Sequence, residues 1–435
     1  MELHVIMSAM LAMAVSSLAS TCPSSIKVEV PGYSYNGKTG MHALHSQLLS
    51  CPDIRSLDLR VSLQGCSGWP DRWSFPFIPA GGETYPTLTS LTLEGYRFNY
   101  TEWEDNENRH QTIFARFAEY ISLLWSNAPA KQRRLTNLEL WLEAMDWSAL
   151  ESLELRKGVE DCFVDMATSH LTGLKHLTLE ESWHTGNTTI PRLLTSLPAL
   201  VQLQSLAWLG GEKYNDLDAV IDRHCGGLER LDLHTKVPFG SDALSKKQIQ
   251  MVAERCPELK HISLVIDRNG SWPLEDMVML ARIPKLASAD IWLELTSDCT
   301  RNAGKWDKND CGGKDAEYRK PLLDTAAAKE LFSYVLQQRA LRDLPPILNM
   351  SFYIGDWSRP WDGPLYEPSW WEGKGHRYDC YAMVEGKLGD GVFDCKLTSS
   401  VDSGLDALHT VVDHYHQGDE YYDEEDGLPM VHLEL

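Results

Sequence analysis

The sequence has few basic residues for its length. Its 435 residues include 40 Lys and Arg against 62 Asp and Glu, a formal net charge of −22. Phosphate backbones and anionic lipid surfaces attract surplus positive charge, so this balance argues against nucleic acid or a membrane surface as the main partner. A basic or neutral polar partner remains compatible with it, as does a charge that only keeps the protein soluble.

The chain also lacks an apolar run long enough to span a bilayer. The uninterrupted apolar and small residues from Val5 to Val15 fall short of the roughly 20 that a spanning helix needs. Small residues follow at Ser17 and Ala19, which predicts a signal peptide over residues 1–19; a buried first helix is the alternative. No later segment is apolar enough for an anchor, so we expect none.

Signature motifs of catalysis are missing too. The sequence contains no G-x-S-x-G, H-E-x-x-H, G-x-G-x-x-G, P-loop or C-x-x-C pattern. We therefore expect no enzyme, no cofactor and no metal site. The densest set of metal-capable side chains, in the segment 413–426, is interpreted as a solvated acidic tail; it contains His414, His416, Asp419 and Glu420.

Cysteines and glycosylation sequons favour secretion. All ten cysteines lie beyond residue 19, and an even number of them suits disulfide formation. Cys299–Cys311 and Cys380–Cys395 would each close a short polar loop, so these four are the disulfide candidates; Cys51–Cys66 is a further possibility. The N-x-S/T sequons lie at Asn99, Asn187, Asn269 and Asn349.

A leucine motif, L-x-x-L-x-L, recurs along the chain. Five successive copies start at residues 174, 200, 228, 259 and 286, close to the period of a leucine-rich repeat. The clear copies are Ile54-Leu57-Leu59, Leu88-Leu91-Leu93, Leu135-Leu138-Leu140, Leu150-Leu153-Leu155, Leu174-Leu177-Leu179, Leu228-Leu231-Leu233 and Leu259-Ile262-Leu264.

Each copy predicts one module made of a helix, a turn and a short strand. In L-x-L both leucines point to one face of the strand. Before the motif, Ile249, Val252 and Cys256 recur at helical spacing after a cap at Ser241 or Asp242. Cys51, Cys225 and Cys256 occupy the same position of their modules, where we interpret them as small packed thiols, with disulfides as the alternative.

The stretches "CGGLERLDL" and "CPELKHISL" resemble the cysteine-containing class of leucine-rich repeats. With "LRVSLQGCSGWPDRWSFPF" and "GDWSRPWDGPLYEPSWWEGKGHRYDC", most of the chain resembles a group of filamentous-fungal leucine-rich repeat proteins, some of them described as F-box-like. The resemblance implies an α/β solenoid with a curved parallel sheet and helices on its convex side. It implies no catalytic residues, and no F-box is recognisable before the first repeat.

The predicted organisation has four parts. A signal peptide (1–19) precedes an N-terminal cap (20–50) and a solenoid (51–295) with an irregular insertion at 97–134, for which the apolar spacing predicts an amphipathic helix. Residues 296–435 form a divergent repeat and an irregular Trp/Pro-rich C-terminal cap with the acidic tail. The tryptophans at 357, 361, 370 and 371 either plug the end of the solenoid or bind a ligand.

The predicted binding surface follows from the repeat, because residues between and just after the strand leucines should line the concave face. The set is acidic with embedded tryptophans, which suits a basic or amine-bearing protein or glycan partner. It comprises Glu94, Glu139, Trp141, Glu143, Glu154, Glu180, Asp232, His234, Asp267, Trp292 and Glu294.

Three functions are compatible with these features. The first is a secreted, non-catalytic leucine-rich repeat protein that binds a protein or glycan through its concave face. The second is an intracellular, F-box-like substrate-recognition subunit without a recognisable F-box, and the third is a secreted hydrolase.

Overall fold

The computed structural model describes residues 22–30, 40–61, 74–78, 81–98, 135–156, 158–181, 188–198, 203–210, 214, 216–234, 243–268, 270–294, 297, 299, 311–354, 374–382, 393–402, 422–423 and 428–429. Several predictions concern residues outside these ranges. They are the signal peptide, the helix within 97–134, three of the four sequons (Asn99, Asn187 and Asn269), the four tryptophans between 357 and 371, and the histidines of the acidic tail.

The first of two compact units comprises Met1–Leu203. Its five strands are all parallel and hydrogen-bonded in chain order: β1 (Ser25–Val30), β2 (Ser56–Val61), β3 (Ser90–Glu94), β4 (Ser152–Arg156) and β5 (His176–Glu180). Its described α-helices are α1 (Gly40–Ser50), α2 (Asn137–Ala144), α3 (Asp161–Ala167) and α4 (Thr189–Ser196).

The second unit comprises Gln204–Leu435. Five of its strands are parallel: β6 (Ser205–Leu209), β7 (Arg230–Leu233), β8 (His261–Ile266), β9 (Ser288–Leu293) and β10 (Asn349–Ile354). The antiparallel strands β11 (Lys374–Ala382) and β12 (Phe393–Asp402) follow β10 in the same sheet, and β13 (Tyr422–Asp423) pairs with β14 (Leu428–Pro429) in a separate sheet. Its described α-helices are α5 (Leu217–His224), α6 (Lys246–Arg255), α7 (Leu274–Ala281), α8 (Gly312–Tyr318) and α9 (Thr325–Ala340).

The leucines of the repeat form the apolar interior of each unit. In the first, Leu57, Leu91, Leu153 and Leu177 stand level on neighbouring strands, and each is at most 1% exposed. In the second, Leu231 pairs with Ile262, and Ile262 with Ala289. Each fully buried Leu or Ile contributes about 1.5–3 kcal/mol, so the level rows stabilise the stacking of successive modules. The chain is therefore an α/β protein with a mostly parallel sheet.

One predicted strand is a helix. Leu135, Leu138 and Leu140 match the leucine motif, but the segment forms α2. Thr136 and Glu139 form a capping box, in which each side chain accepts from the other residue's backbone N–H. Leu138, Trp141 and Met145 are buried at helical spacing, so α2 is the helix that precedes β4.

Two further boundaries differ from the prediction. Helix α6 begins after Ser245, whose side chain accepts from the Gln248 N–H in a capping box, and not after Ser241 or Asp242. The turn residues of 296–315 predict a loop, but the end of this segment belongs to α8. The strands β1, β11 and β12 lie in segments for which the leucine pattern predicted none, because their buried residues are not leucines in that motif.

Among the nine cysteines that the structure describes, eight form four disulfides. Cys299–Cys311 and Cys380–Cys395 are present, and Cys51 pairs with Cys22. Cys225 and Cys256 are also bonded to each other, with Cα atoms 4.8 Å apart, so their interpretation as free packed thiols is wrong. Because each follows the helix of its module, successive modules bring the two sulfurs together.

Replacing both Cys225 and Cys256 with alanine is expected to lower the free energy of unfolding by about 2–4 kcal/mol. The bond closes a loop between residues 31 positions apart, so its loss enlarges the ensemble of unfolded conformations. Urea denaturation measures the change. Cys162→Ala is the control, because Cys162 is half-buried and forms no disulfide. Equal stability of the double variant and this control would contradict the assignment.

Candidate functional site

The predicted surface residues fall into three groups. Glu94, Glu154 and Glu180 lie on the face of the first unit's strands that points away from the leucines. Glu139, Trp141 and Glu143 lie on α2, so their prediction as strand residues is wrong. Trp141 is fully buried, which excludes it from any surface. The second unit holds Asp232, His234, Asp267, Trp292 and Glu294.

The first unit's polar face alternates in charge and carries no Trp, Tyr or Phe among its strand residues that the structure describes. Arg60 bridges Glu29 and Glu94, with N–O distances of 3.5 and 3.2 Å. Arg156 pairs with Glu154, and Lys27 lies 3.2 Å from Asp58. The carboxylates predicted to attract a basic partner are thus largely matched by cations of the protein itself, and this face is a weak candidate.

The second unit's polar face consists of two level rows that cross its strands. We call His234, Trp292, Tyr353 and Arg377 the aromatic row, and Asp232, Ser263, Asp290, Ser351 and Asp379 the aspartate row. The register places Trp292 beside Tyr353 and Tyr353 beside Arg377. Likewise Ser263 stands between Asp232 and Asp290, and Ser351 between Asp290 and Asp379. Strand pairing therefore assembles the aspartate row and the Trp292, Tyr353 and Arg377 part of the aromatic row, whereas His234 follows β7 and reaches Trp292 across β8.

The aromatic row is a continuous stack. The rings of His234 and Trp292 lie 4.5 Å apart and 10° from parallel, and those of Trp292 and Tyr353 lie 4.3 Å apart and 9° from parallel. The Arg377 guanidinium lies 5.3 Å from the Tyr353 ring centroid, a cation–π contact. The Trp292 indole donates to Ser263 Oγ at 3.0 Å. These contacts fix the rings, so a partner meets an ordered surface.

Arginines hold two of the three aspartates in the aspartate row. Arg230 Nε donates to Asp232 at 2.7 Å, and Arg377 Nε donates to Asp379 at 2.7 Å. Burial by itself raises the pKa of Asp379, but hydrogen bonds from Ser351, Thr398 and Arg377 more than offset this and leave the pKa below its ordinary value. Asp232 and Asp379 are thus ionised structural anchors.

Asp290 differs from both. Its side chain is 26% exposed, and its Oδ2 atom lies 3.7 Å from His261 Nε2. Burial raises the pKa of Asp290 above its ordinary value, and the positive potential of His261 and Arg377 offsets only part of this rise. Burial also raises the pKa of neighbouring Tyr353 to about 12, with Asp290 adding to the effect. Asp290 is the carboxylate of its row with room for an outside cation.

Further carboxylates lie just beyond the aromatic row. Asp267 follows β8 and accepts a hydrogen bond from the Tyr318 hydroxyl, and burial together with this bond raises the pKa of Tyr318. Glu294 follows β9, two residues beyond Trp292, and is buried. Helix α8, which carries Tyr318, is tied by the Cys299–Cys311 disulfide. Trp292 is consequently surrounded by Asp290, Asp267 and Glu294.

Six members of the two rows were not predicted from the sequence: Ser263, Asp290, Ser351, Tyr353, Arg377 and Asp379. Asp290 stands between Ala289 and Ile291, so the same alternation could have found it, but the copy of the motif at Leu286 is degenerate. Tyr353 lies in a strand without the leucine pattern. Arg377 and Asp379 come from a strand that returns antiparallel, a pairing that no local pattern signals.

The described part of the chain offers no sign of metal or membrane chemistry. No group of three or more His, Cys, Asp or Glu side chains in it is placed to hold a metal ion. Within the same residues, no helix combines the length and apolarity that crossing a bilayer requires. No protein-family model matches the chain, and a search of curated proteins finds no significant match.

Proposed function

We propose that the protein is a secreted, non-catalytic binding protein of the leucine-rich repeat type, and that the aromatic row of its second unit holds a protein partner. The observation that carries this proposal is the ordered stack of His234, Trp292 and Tyr353 on a polar strand face. Trp, Tyr and Arg dominate the residues that supply most binding energy in protein interfaces, and they do so where they are held rigid.

A protein partner suits this stack better than a glycan. Sugars bind tryptophan and tyrosine through the flat faces of the rings. Here Trp292 is covered on both faces, by His234 and by Tyr353, and Arg377 lies over the Tyr353 ring. The stack therefore offers ring edges, the Trp292–Tyr353 junction and flanking carboxylates, which match the mixed apolar and charged side chains of a polypeptide.

Two further features support the repeat type and the location. Most strands of the parallel series begin 24–34 residues after their predecessors, which is the spacing of one leucine-rich repeat module, whereas β4 and β10 begin 62 and 61 residues after β3 and β9. Four disulfides in one chain are typical of proteins that fold in an oxidising compartment. In a leucine-rich repeat protein the polar strand face would be the concave, ligand-binding side.

The test is selection of ligands from a random dodecapeptide library displayed on phage, with the full chain immobilised. Replacing Trp292 and Tyr353 together with alanine is expected to weaken the binding of the selected peptides by about 1,000-fold, because interface anchors of this type each contribute about 2 kcal/mol and each 1.4 kcal/mol is about tenfold. Fluorescence anisotropy with synthesised peptides measures the dissociation constants.

Tyr381→Ala is the matched control. Tyr381 is 42% exposed and pairs with Asn349, four residues before Tyr353 on β10, so it samples the same strands away from the stack. We expect this variant to bind the peptides as the unchanged protein does. Peptides that bind the Trp292 and Tyr353 double variant with full affinity would overturn the proposed function.

A further inference from the structure

Asp290 lies at the centre of the proposed surface, next to a histidine. His261 Nε2 lies 3.4 Å from Asp232 Oδ1 and 3.7 Å from Asp290 Oδ2, distances too long for good hydrogen bonds. The opposite ring nitrogen, Nδ1, lies 2.7 Å from Ser288 Oγ, which fixes the orientation of the ring. His261 thus points one nitrogen between two carboxylates.

Asp232 contributes a second signal of an incomplete site. Its side chain is nine-tenths buried, and its Oδ1 atom accepts no hydrogen bond from the residues that the structure describes. A buried carboxylate oxygen in this state costs free energy unless a donor or a positive charge faces it. Asp232 Oδ2 is already held by Arg230, so Oδ1 is directed toward the space shared with His261.

We propose that Asp290, backed by Asp232, receives a lysine or arginine side chain of the partner, and that protonated His261 competes with this side chain for the two carboxylates. The inference rests on the proposed function and names the chemistry of the contact. A guanidinium or ammonium group at Asp290 would lie beside the Trp292–Tyr353 junction, because Asp290 is two residues before Trp292 on the same strand face.

The charged groups around His261 define the direction of the pH effect. Arg230 stands level with it on β7, Asp232 lies on β7 and Asp290 on β9. Arg377 and Tyr353 act on Asp290 from the far side. When the His261 imidazole is neutral, Asp290 is available to a cation of the partner. When the imidazole is protonated, His261 itself supplies a positive charge next to Asp290. Affinity should therefore be lower whenever the His261 imidazole carries a proton.

The first arm of the experiment tests the cation. Peptides selected at about pH 7.5 from the phage library are expected to carry Lys or Arg next to an apolar residue. The Asp290→Asn substitution should lower the affinity for these peptides by about tenfold or more, since it removes one partner of a charge pair at the interface. Asp58→Asn is the matched control: Asp58 lies on a first-unit strand, where its cationic partner is the exposed Lys27, and its loss should change affinity less than about twofold.

The second arm tests the competition. When the pH is lowered from about 7.5 to about 6, the protein with His261 should lose more affinity for the same peptide than the His261→Gln variant does, because only the imidazole can gain a positive charge at this position. Glutamine keeps polar atoms in the same place but cannot become charged. Circular dichroism at both pH values establishes that the variants are folded.

The outcomes separate this inference from the proposed function. If Asp290→Asn binds the peptides as tightly as Asp58→Asn while the Trp292 and Tyr353 double variant does not bind, the cation subsite is wrong and the proposed function stands. If both the Asp290→Asn variant and the Trp292 and Tyr353 double variant bind the peptides with full affinity, the proposed function is wrong, and the cation subsite is wrong with it. Equal pH dependence with and without His261 would overturn the competition alone.

Discussion

Replacing Trp141 with alanine is expected to lower the free energy of unfolding by about 3–5 kcal/mol. Trp141 is fully buried within the first unit, where its indole donates to the Tyr96 hydroxyl at 2.7 Å. That hydroxyl in turn donates to Asn137 Oδ1 and accepts from the Phe75 backbone N–H. The substitution therefore leaves a large cavity and removes one member of a buried hydrogen-bond network.

Urea denaturation followed by fluorescence measures this change, and Glu143→Ala is the control. Glu143 is exposed on the same helix, and its replacement should change stability by less than about 0.5 kcal/mol. The two positions were indistinguishable in the leucine pattern, where both belonged to the binding face. Similar stabilities of the two variants would mean that α2 is placed wrongly.

Arg339→Ala is expected to cost at least about 3 kcal/mol of unfolding free energy. The buried guanidinium donates to the carbonyl oxygens of Ile283 at 2.7 Å, Pro284 at 3.1 Å and Ala281 at 3.3 Å, and also to that of Pro345. It thereby ties the end of α7 to the chain that follows α9. Burial lowers the pKa of Arg339 to about 10, which leaves it charged at neutral pH.

Two comparisons make the Arg339 result specific. Arg342→Ala removes an arginine that follows α9 and whose guanidinium donates to the backbone and side-chain oxygens of Gln338 in that helix, so a loss below about 1 kcal/mol is expected. Arg339→Lys should recover little, because a single ammonium cannot reach carbonyls spread around a planar guanidinium. Equal losses of unfolding free energy in Arg339→Ala and Arg342→Ala, measured by thermal and urea denaturation, would contradict this role.

The leucine pattern predicted the architecture well where burial repeats at a fixed spacing. Leu57, Leu91, Leu153 and Leu231 all lie on the interior face of parallel strands, as their alternation requires. The same pattern was wrong at Leu135–Leu140, because a capping box and helical spacing of larger apolar residues outweighed three leucines in register. Local motifs are informative only as long as no stronger local signal competes.

The surface was less predictable than the interior. Trp292 and Asp232 could be assigned to one face from alternation alone, but their neighbours Tyr353, Arg377 and Asp379 arrive from strands without the motif. The stacking of Trp292 on His234 crosses an intervening strand, so it depends on side-chain reach and not on sequence distance. Such a site depends on the register between neighbouring strands, and the residues of a single strand do not reveal that register.

The disulfides show that a correctly predicted repeat can still be accompanied by a wrong interpretation of its cysteines. Cys225 and Cys256 were assigned to equivalent positions of successive modules, and that equivalence is what brings them within bonding distance. Their interpretation as separate packed thiols treated each module alone. Equivalent residues of neighbouring modules are neighbours in space, so two cysteines in this relation are a disulfide signal in an oxidising compartment.

The most direct measurement of the central claim is a crystal structure of the full chain with a peptide selected on it. We expect the peptide to lie across β9 and β10, with an apolar side chain at the Trp292–Tyr353 junction and a basic side chain at Asp290. A peptide bound instead to the first unit, or to the helices of the second, would contradict the claim that the stacked aromatic row is the binding surface.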